Sequence, residues 1–188
     1  MPTPPSSDTP ATCILASLAG EYRRYQALAE QAAAQLSEED LFRAGPGGSN
    51  SVAIVMRHIG GNLKSRFTDF LTSDGEKPWR ERDEEFSGIL PSRDALMTLW
   101  CEGWTALHHT LSAVTDDDLG KPVVIRKQSL TVTEALHRSL AHISYHVGQI
   151  VYIARVWRGA EWRFLSVPPG KSNEYNQRPT REKPPPAL

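Results

Sequence analysis

The sequence predicts an all-α fold, a four-helix bundle with a long loop between its second and third helices. Three observations predict it. Apolar residues recur at the helical period in four separate stretches. Three of those stretches open on hydroxyl-bearing residues suited to capping a helix. The connections between them are polar, with Gly and Pro at the breaks. Facing helices of such a bundle bury their apolar stripes against one another and can build a metal site from inward-pointing side chains.

The first helix is expected over about Ala11 to Leu36, on the stripe Ile14, Leu15, Leu18, Tyr22, Tyr25, Leu28, Ala29 and Ala32. Gly45-Pro46-Gly47-Gly48 is a firm break. Ser49-Asn50-Ser51 offers caps for a second helix, about Ser51 to Leu71. Its core stripe is Val52, Val55, Ile59, Leu63, Arg66 and Phe70; the stripe beside it, Ile54, His58, Gly61, Asn62, Ser65 and Asp69, is small and polar apart from Ile54. Small residues next to a histidine leave room for a metal, a water or a ligand. Thr72 to Pro91 is the long loop, and Trp79 and Phe86 are expected to anchor it over the mouth of the bundle. Pro91-Ser92 opens the third helix, with Ser92 as N-cap, and it runs to about Val114. Lys121 to Leu130 is a short β-prone connector, read as a small hairpin or an extended strip. The fourth helix, Thr131 to Trp157, starts with a capping box of Thr131 and Glu134. After it the chain is irregular. One domain is expected over residues 11–177, between a disordered N-terminus (1–10) and a flexible C-terminal tail (178–188).

Composition narrows the function. Of 188 residues, 39% are hydrophobic and 23% charged, the balance of a folded protein. The formal net charge is −1 and no basic stripe stands out, so nucleic acid is not an expected partner. No apolar run is long enough to span a membrane, and the N-terminal stretch lacks the basic and apolar regions of a signal peptide. Cys13 and Cys101 make no disulfide framework. A cytoplasmic location follows as the simplest expectation. Neither cysteine has a visible base beside it, so both are expected as small buried hydrophobes.

The chemistry gathers on the fourth helix. His142 and His146 are four residues apart, one above the other on one face, with Cβ atoms about 5–6 Å apart. That separation lets two imidazoles reach one metal ion. A catalytic site of the zinc type needs a third protein ligand and an open position. His58, mid-helix on the small polar stripe, is the best placed. His108, His109 and His137 point elsewhere and are expected at the surface or rim. The spacing alone fits a hydrogen-bonded structural pair equally well. The glutamate that follows the first histidine of H-E-x-x-H metalloproteases is absent; Ile143 stands there. Asn62 and Gln149 are candidates for outer hydrogen-bond partners or substrate contacts. Gly170-Lys171-Ser172 lacks the glycine and the strand of a P-loop, which excludes a nucleotide reading.

His142-x-x-Tyr145-His146-x-Gly148-Gln149-Ile150, together with His58, resembles the DinB-like family of bacterial bundle proteins. The stretch from Asn50 through His58-Ile-Gly-Gly-Asn62 to Asp69-Phe70 is similar to one of its uncharacterised subgroups. So are Asp74-Gly75-Glu76-Lys77-Pro78-Trp79-Arg80 and Pro168-Pro169-Gly170-Lys171-Ser172. The resemblance covers roughly Ala11 to Tyr175, and the histidine trio is its most specific part. It implies frequent homodimers and a divalent metal, often zinc or nickel, on His58, His142 and His146. It also implies, for some relatives, transfer or isomerisation with a low-molecular-weight thiol such as bacillithiol or mycothiol. The expectation is therefore a metal-dependent enzyme that activates a thiol or water toward a small electrophilic substrate. The trio is its metal site, and Asn62, Gln149 and Trp79 are the second-tier candidates. A metal-dependent hydrolase and a non-catalytic structural or sensing bundle are the alternatives.

Overall fold

The computed structural model describes residues 14–87 and 92–182. The expected disordered N-terminus, Cys13, Pro91 and the last six residues of the tail lie outside the described residues. Four long helices carry the structure: α1 (Ile14–Ala33), α3 (Val52–Phe67), α5 (Arg93–Ala113) and α6 (Val132–Arg158). Three are short: α2 (Glu38–Phe42), α4 (Glu84–Ser87) and α7 (Ser172–Tyr175). Strands β1 (Pro122–Ile125) and β2 (Gln128–Thr131) pair as a small antiparallel hairpin, so the fold is mostly helical rather than purely so.

The long helices start where their capping residues stand. The Ser51 and Ser92 hydroxyls accept the Ile54 and Ala95 amides, at 3.1 and 3.2 Å. At α6 the Thr131 hydroxyl accepts the Glu134 amide (3.1 Å), and the Glu134 carboxylate accepts the Thr131 amide (2.7 Å). The end of α3 differs from expectation. The helix stops at Phe67 rather than near Leu71, because Thr68 takes an extended backbone and Asp69 a left-handed one (φ 50°). The Thr68 amide and hydroxyl both donate to the Lys64 carbonyl, at 3.2 and 2.7 Å, which ties the cap to the last turn.

One apolar core joins all four long helices, with Leu18 and Tyr22 from α1, Ile59 and Leu63 from α3, Trp100 and Leu107 from α5, and Ile143 and Ile150 from α6. Full burial of each such side chain contributes roughly 1.5–3 kcal/mol. Helices α3 and α5 pack closest. A Cβ on Gly103 would lie 2.4 Å from the Gly60 carbonyl oxygen, so the crossing requires glycine there. Helix α1 packs on α6, with the Tyr22 hydroxyl donating to the Leu136 carbonyl at 2.8 Å. Helix α3 also packs on α6, and this contact sets His58 opposite the α6 histidines.

The long connection after α3 is built rather than structureless. It contains α4 and buries Lys77 and Glu85. It is clamped to the hairpin, where Asp74 accepts the amides of Arg126 and Lys127, both at 2.8 Å. Those two residues form the hairpin turn with φ of 52° and 62°, a conformation that normally selects Asn or Gly. The Asp74 carboxylate offsets part of that cost.

Candidate metal centre

His142 and His146 sit one turn apart on α6, and buried His58 faces them from α3. His58 Nε2 is 3.3 Å from His142 Nε2, and His146 Nε2 is 3.1 Å from the same atom. The potential ligand atoms of the three all lie within 4.8 Å of one another, close enough to hold one metal ion.

The outer nitrogens of two rings are already committed. His58 Nδ1 lies 2.7 Å from Glu85 Oε2. Arg80 grips the same carboxylate, Nε to Oε1 at 2.8 Å and Nη2 to Oε2 at 3.0 Å. Burial alone would raise the Glu85 carboxyl, but the hydrogen bonds from His58 and Arg80 and the Arg80 charge outweigh it and hold it below the usual range. An ionised carboxylate only accepts, so His58 Nδ1 carries its proton. His146 Nδ1 lies 2.8 Å from Gln149 Oε1, while the Gln149 amide nitrogen donates to the Tyr145 hydroxyl at 3.3 Å. That assignment makes His146 Nδ1 a donor too. In their neutral forms, both rings therefore turn an Nε2 lone pair toward His142.

His142 stays neutral at ordinary pH. Desolvation leads in pushing it down to about 4, followed by the charges of His146, His58, Arg80 and Arg66. His146 is lowered as well, chiefly by desolvation, against the hydrogen bond to Gln149. A proton on His142 Nε2 can serve only one of the two lone pairs facing it. The arrangement thus leaves at least one lone pair at its centre without a donor, and a divalent cation would meet all three imidazole nitrogens at once. The residues present fit the metal.

Asn62 lines the cavity that opens beside His58 and His142. Trp79 is 48% exposed, with the Lys64 ammonium 5.6 Å from its ring. From this connection it is Glu85 and Phe86 that touch the trio; the Phe86 ring centroid is 4.8 Å from that of His58. Tyr145 is exposed, its ring against His146. His108 bonds Gln26 and His137 bonds the Thr133 carbonyl, away from the trio. Cys101 is exposed rather than buried, because it follows core residue Trp100 by one position, about 100° around the helix.

Sequence reasoning missed Glu85 and Arg80. Their signal was faint: a charge-rich run, Arg80-Glu-Arg-Asp-Glu-Glu85, in a long connection, and a mid-helix glycine at Gly61. A Cβ there would lie 2.3 Å from Glu85 Oε1, so Gly61 makes room for the carboxylate beside His58.

A family model described as "Protein of unknown function (DUF1572)" matches residues 10–171. The chain belongs to this family. The DUF1572 match spans all four long helices, the histidine trio and the connection that carries Arg80 and Glu85. No curated protein matches the chain. Among the described residues, no helix is long and apolar enough to cross a membrane.

Proposed function

We propose that this DUF1572 protein is a cytoplasmic, DinB-like four-helix-bundle enzyme that holds zinc or nickel on His58, His142 and His146 and joins a low-molecular-weight thiol to a small electrophile. One observation carries the metal reading: three imidazole Nε2 atoms converge while His58 and His146 spend their Nδ1 protons on Glu85 and Gln149. The thiol reading rests on the family resemblance, an associational warrant. When bound, the metal lowers the pKa of a thiol or water, so that the nucleophile is available at neutral pH.

The chain's own residues have defined tasks. Glu85, held by Arg80, fixes the His58 tautomer and ring and raises its basicity. Gln149 does the same for His146 without a charge. Asn62 lines the approach beside His58 and is suited to orient a polar group of the substrate. In the reaction a carbon–sulfur bond forms, the electrophile's bond to its leaving group breaks, and the thiol proton departs with that group. The homodimer belongs to this reading too. A partner copy would cover apolar surface such as Tyr145, Tyr152 and Val156, which are exposed on α6.

The test incubates tag-free, metal-loaded protein with bacillithiol or mycothiol and a panel of small electrophiles, with conjugates read by mass spectrometry. Conjugate formation that disappears in His146→Ala, with helicity retained, is the expected result. Metal-loaded protein that forms no conjugate across the panel contradicts the thiol reading. Turnover of activated esters without added thiol would replace it with hydrolysis.

A further inference from the structure

Beside the trio lies a cavity of about 560 Å³ with His58 and His142 in its wall. That volume suits a small molecule. Its charge is one-sided: Arg66, Arg80, Arg82, Arg126 and Arg138 line it, and among the described residues no aspartate or glutamate does. Carboxylates meet these arginines from outside the lining. Besides the Arg80–Glu85 pair, Glu76 lies 3.2 Å from Arg66, 3.0 Å from Arg126 and 3.8 Å from Arg80. Asp83, fully exposed, is 3.7 Å from Arg82. Glu76 and Glu85 are thus shared among three guanidiniums, and Arg138 has no acidic partner among the described residues.

One donor in this lining is left over. Arg80 Nη1 is buried and makes no hydrogen bond, with the Glu76 carboxylate 3.8 Å away, and the Arg80 side chain is only 2% exposed. Arg66 Nη1, also buried, is held by Glu76 in an ion pair at 3.2 Å. A buried donor without an acceptor costs on the order of 1–3 kcal/mol, so native folds rarely leave one without a reason. Guanidinium forks match the planar oxygens of carboxylates and phosphates. The same cavity has an apolar side formed by Phe67, Phe70, Ile125 and Ala135. An inorganic ion would leave that side bare; a carbon skeleton would cover it.

We propose that this cavity binds the oxyanion of a small organic molecule, a carboxylate or a phosphate ester, on Arg66, Arg80 and Arg138, with its carbon skeleton against Phe67, Phe70 and Ile125. The proposal names the substrate class of the site described above and rests on that function for what happens at the histidine end. The anion subsite itself is made of arginines and needs no metal.

The test is calorimetric titration of metal-stripped protein with succinate, inorganic phosphate and neutral succinamide at constant ionic strength. Succinate is expected to bind and succinamide not to. Arg138→Gln, at an exposed position, and Arg66→Lys, which keeps the charge facing Glu76, should each weaken succinate roughly tenfold. Arg178→Gln, a control at an exposed position outside the lining, should leave binding unchanged. Phosphate binding with the same arginine dependence also supports the subsite and favours the phosphate ester. The proposal is overturned if neither anion binds better than succinamide, or if Arg178→Gln weakens binding as much as Arg138→Gln. Arginine-dependent succinate binding in a protein that takes up no metal would keep the subsite and remove the metal function. A metal-loaded trio with no anion affinity would do the reverse.

Discussion

The two ends of the histidine trio are supported differently. His58 is buried and backed by a carboxylate that is itself gripped by Arg80, whose side chain is 2% exposed. His146 is half-buried and backed by a neutral amide that hands on to the exposed Tyr145. A charged acceptor makes its imidazole a stronger donor to a cation than a neutral one does. The His58 end also joins two distant parts of the chain, since Glu85 comes from the connection after α3. The His146 end is local to α6. One end therefore couples the candidate metal centre to the stability of the fold, and the other tunes it with little structural consequence.

Glu85→Ala should have the largest effect. It leaves Arg80 buried without its hydrogen-bonded carboxylate and His58 without its acceptor. Breaking a buried pair from one side costs about 3–5 kcal/mol, to be read as a shift in the urea midpoint of metal-free protein. Glu85→Gln keeps the shape and should cost less stability, yet lower metal affinity roughly 10–100-fold. Gly61→Ala should approach that loss of affinity, because its methyl would take the place of Glu85 Oε1. Equal metal affinity in wild type and Gly61→Ala would mean that the carboxylate contributes nothing.

Gln149→Ala should weaken metal by no more than about tenfold, at the lower edge of that range, and leave the urea midpoint unchanged. A larger loss than in Glu85→Gln would invert the comparison. Acid offers a smaller effect. His142 in the fold titrates at about 4, against roughly 6.5 in the unfolded chain. Above that higher value both states are neutral and nothing is lost. As pH falls toward 4, the unfolded chain takes up a proton that the fold refuses, so stability declines. For this partly exposed ring the decline should be about 1–2 kcal/mol after solvent screening, and His142→Ala should abolish that component. Tyr145→Phe should be the mildest, within about 0.5 kcal/mol of wild type in stability.

Much of this was legible in the sequence because it is local. Of the α6 stripe Leu136, Leu140, Ile143, Val147, Ile150 and Ala154, all but the half-buried Leu140 are buried as the period implies, and the Thr131–Glu134 capping box forms. The trio was legible because His142 and His146 share a face by spacing, and His58 stood alone on a stripe of small residues. The partners that orient it were less so. Gln149 lies three residues from His146, but Glu85 is 27 residues from His58, in a segment with no period to read. Trp79 shows the opposite error. Its size suggested an anchor, while the structure places it at the surface beside Lys64. The stretch Lys121–Leu130 stayed open between a hairpin and an extended strip because Arg126-Lys127 has neither Asn nor Gly; the support of the hairpin turn comes from Asp74, 52 and 53 residues away.

The most direct measurement is elemental analysis of tag-free protein loaded with zinc or nickel, beside His58→Ala and His142→Ala with helicity checked by circular dichroism. The account predicts near-stoichiometric metal in wild type and its loss in both variants without loss of helix. Loaded wild type that retains no metal, or a His142→Ala protein that retains as much as wild type, would contradict it.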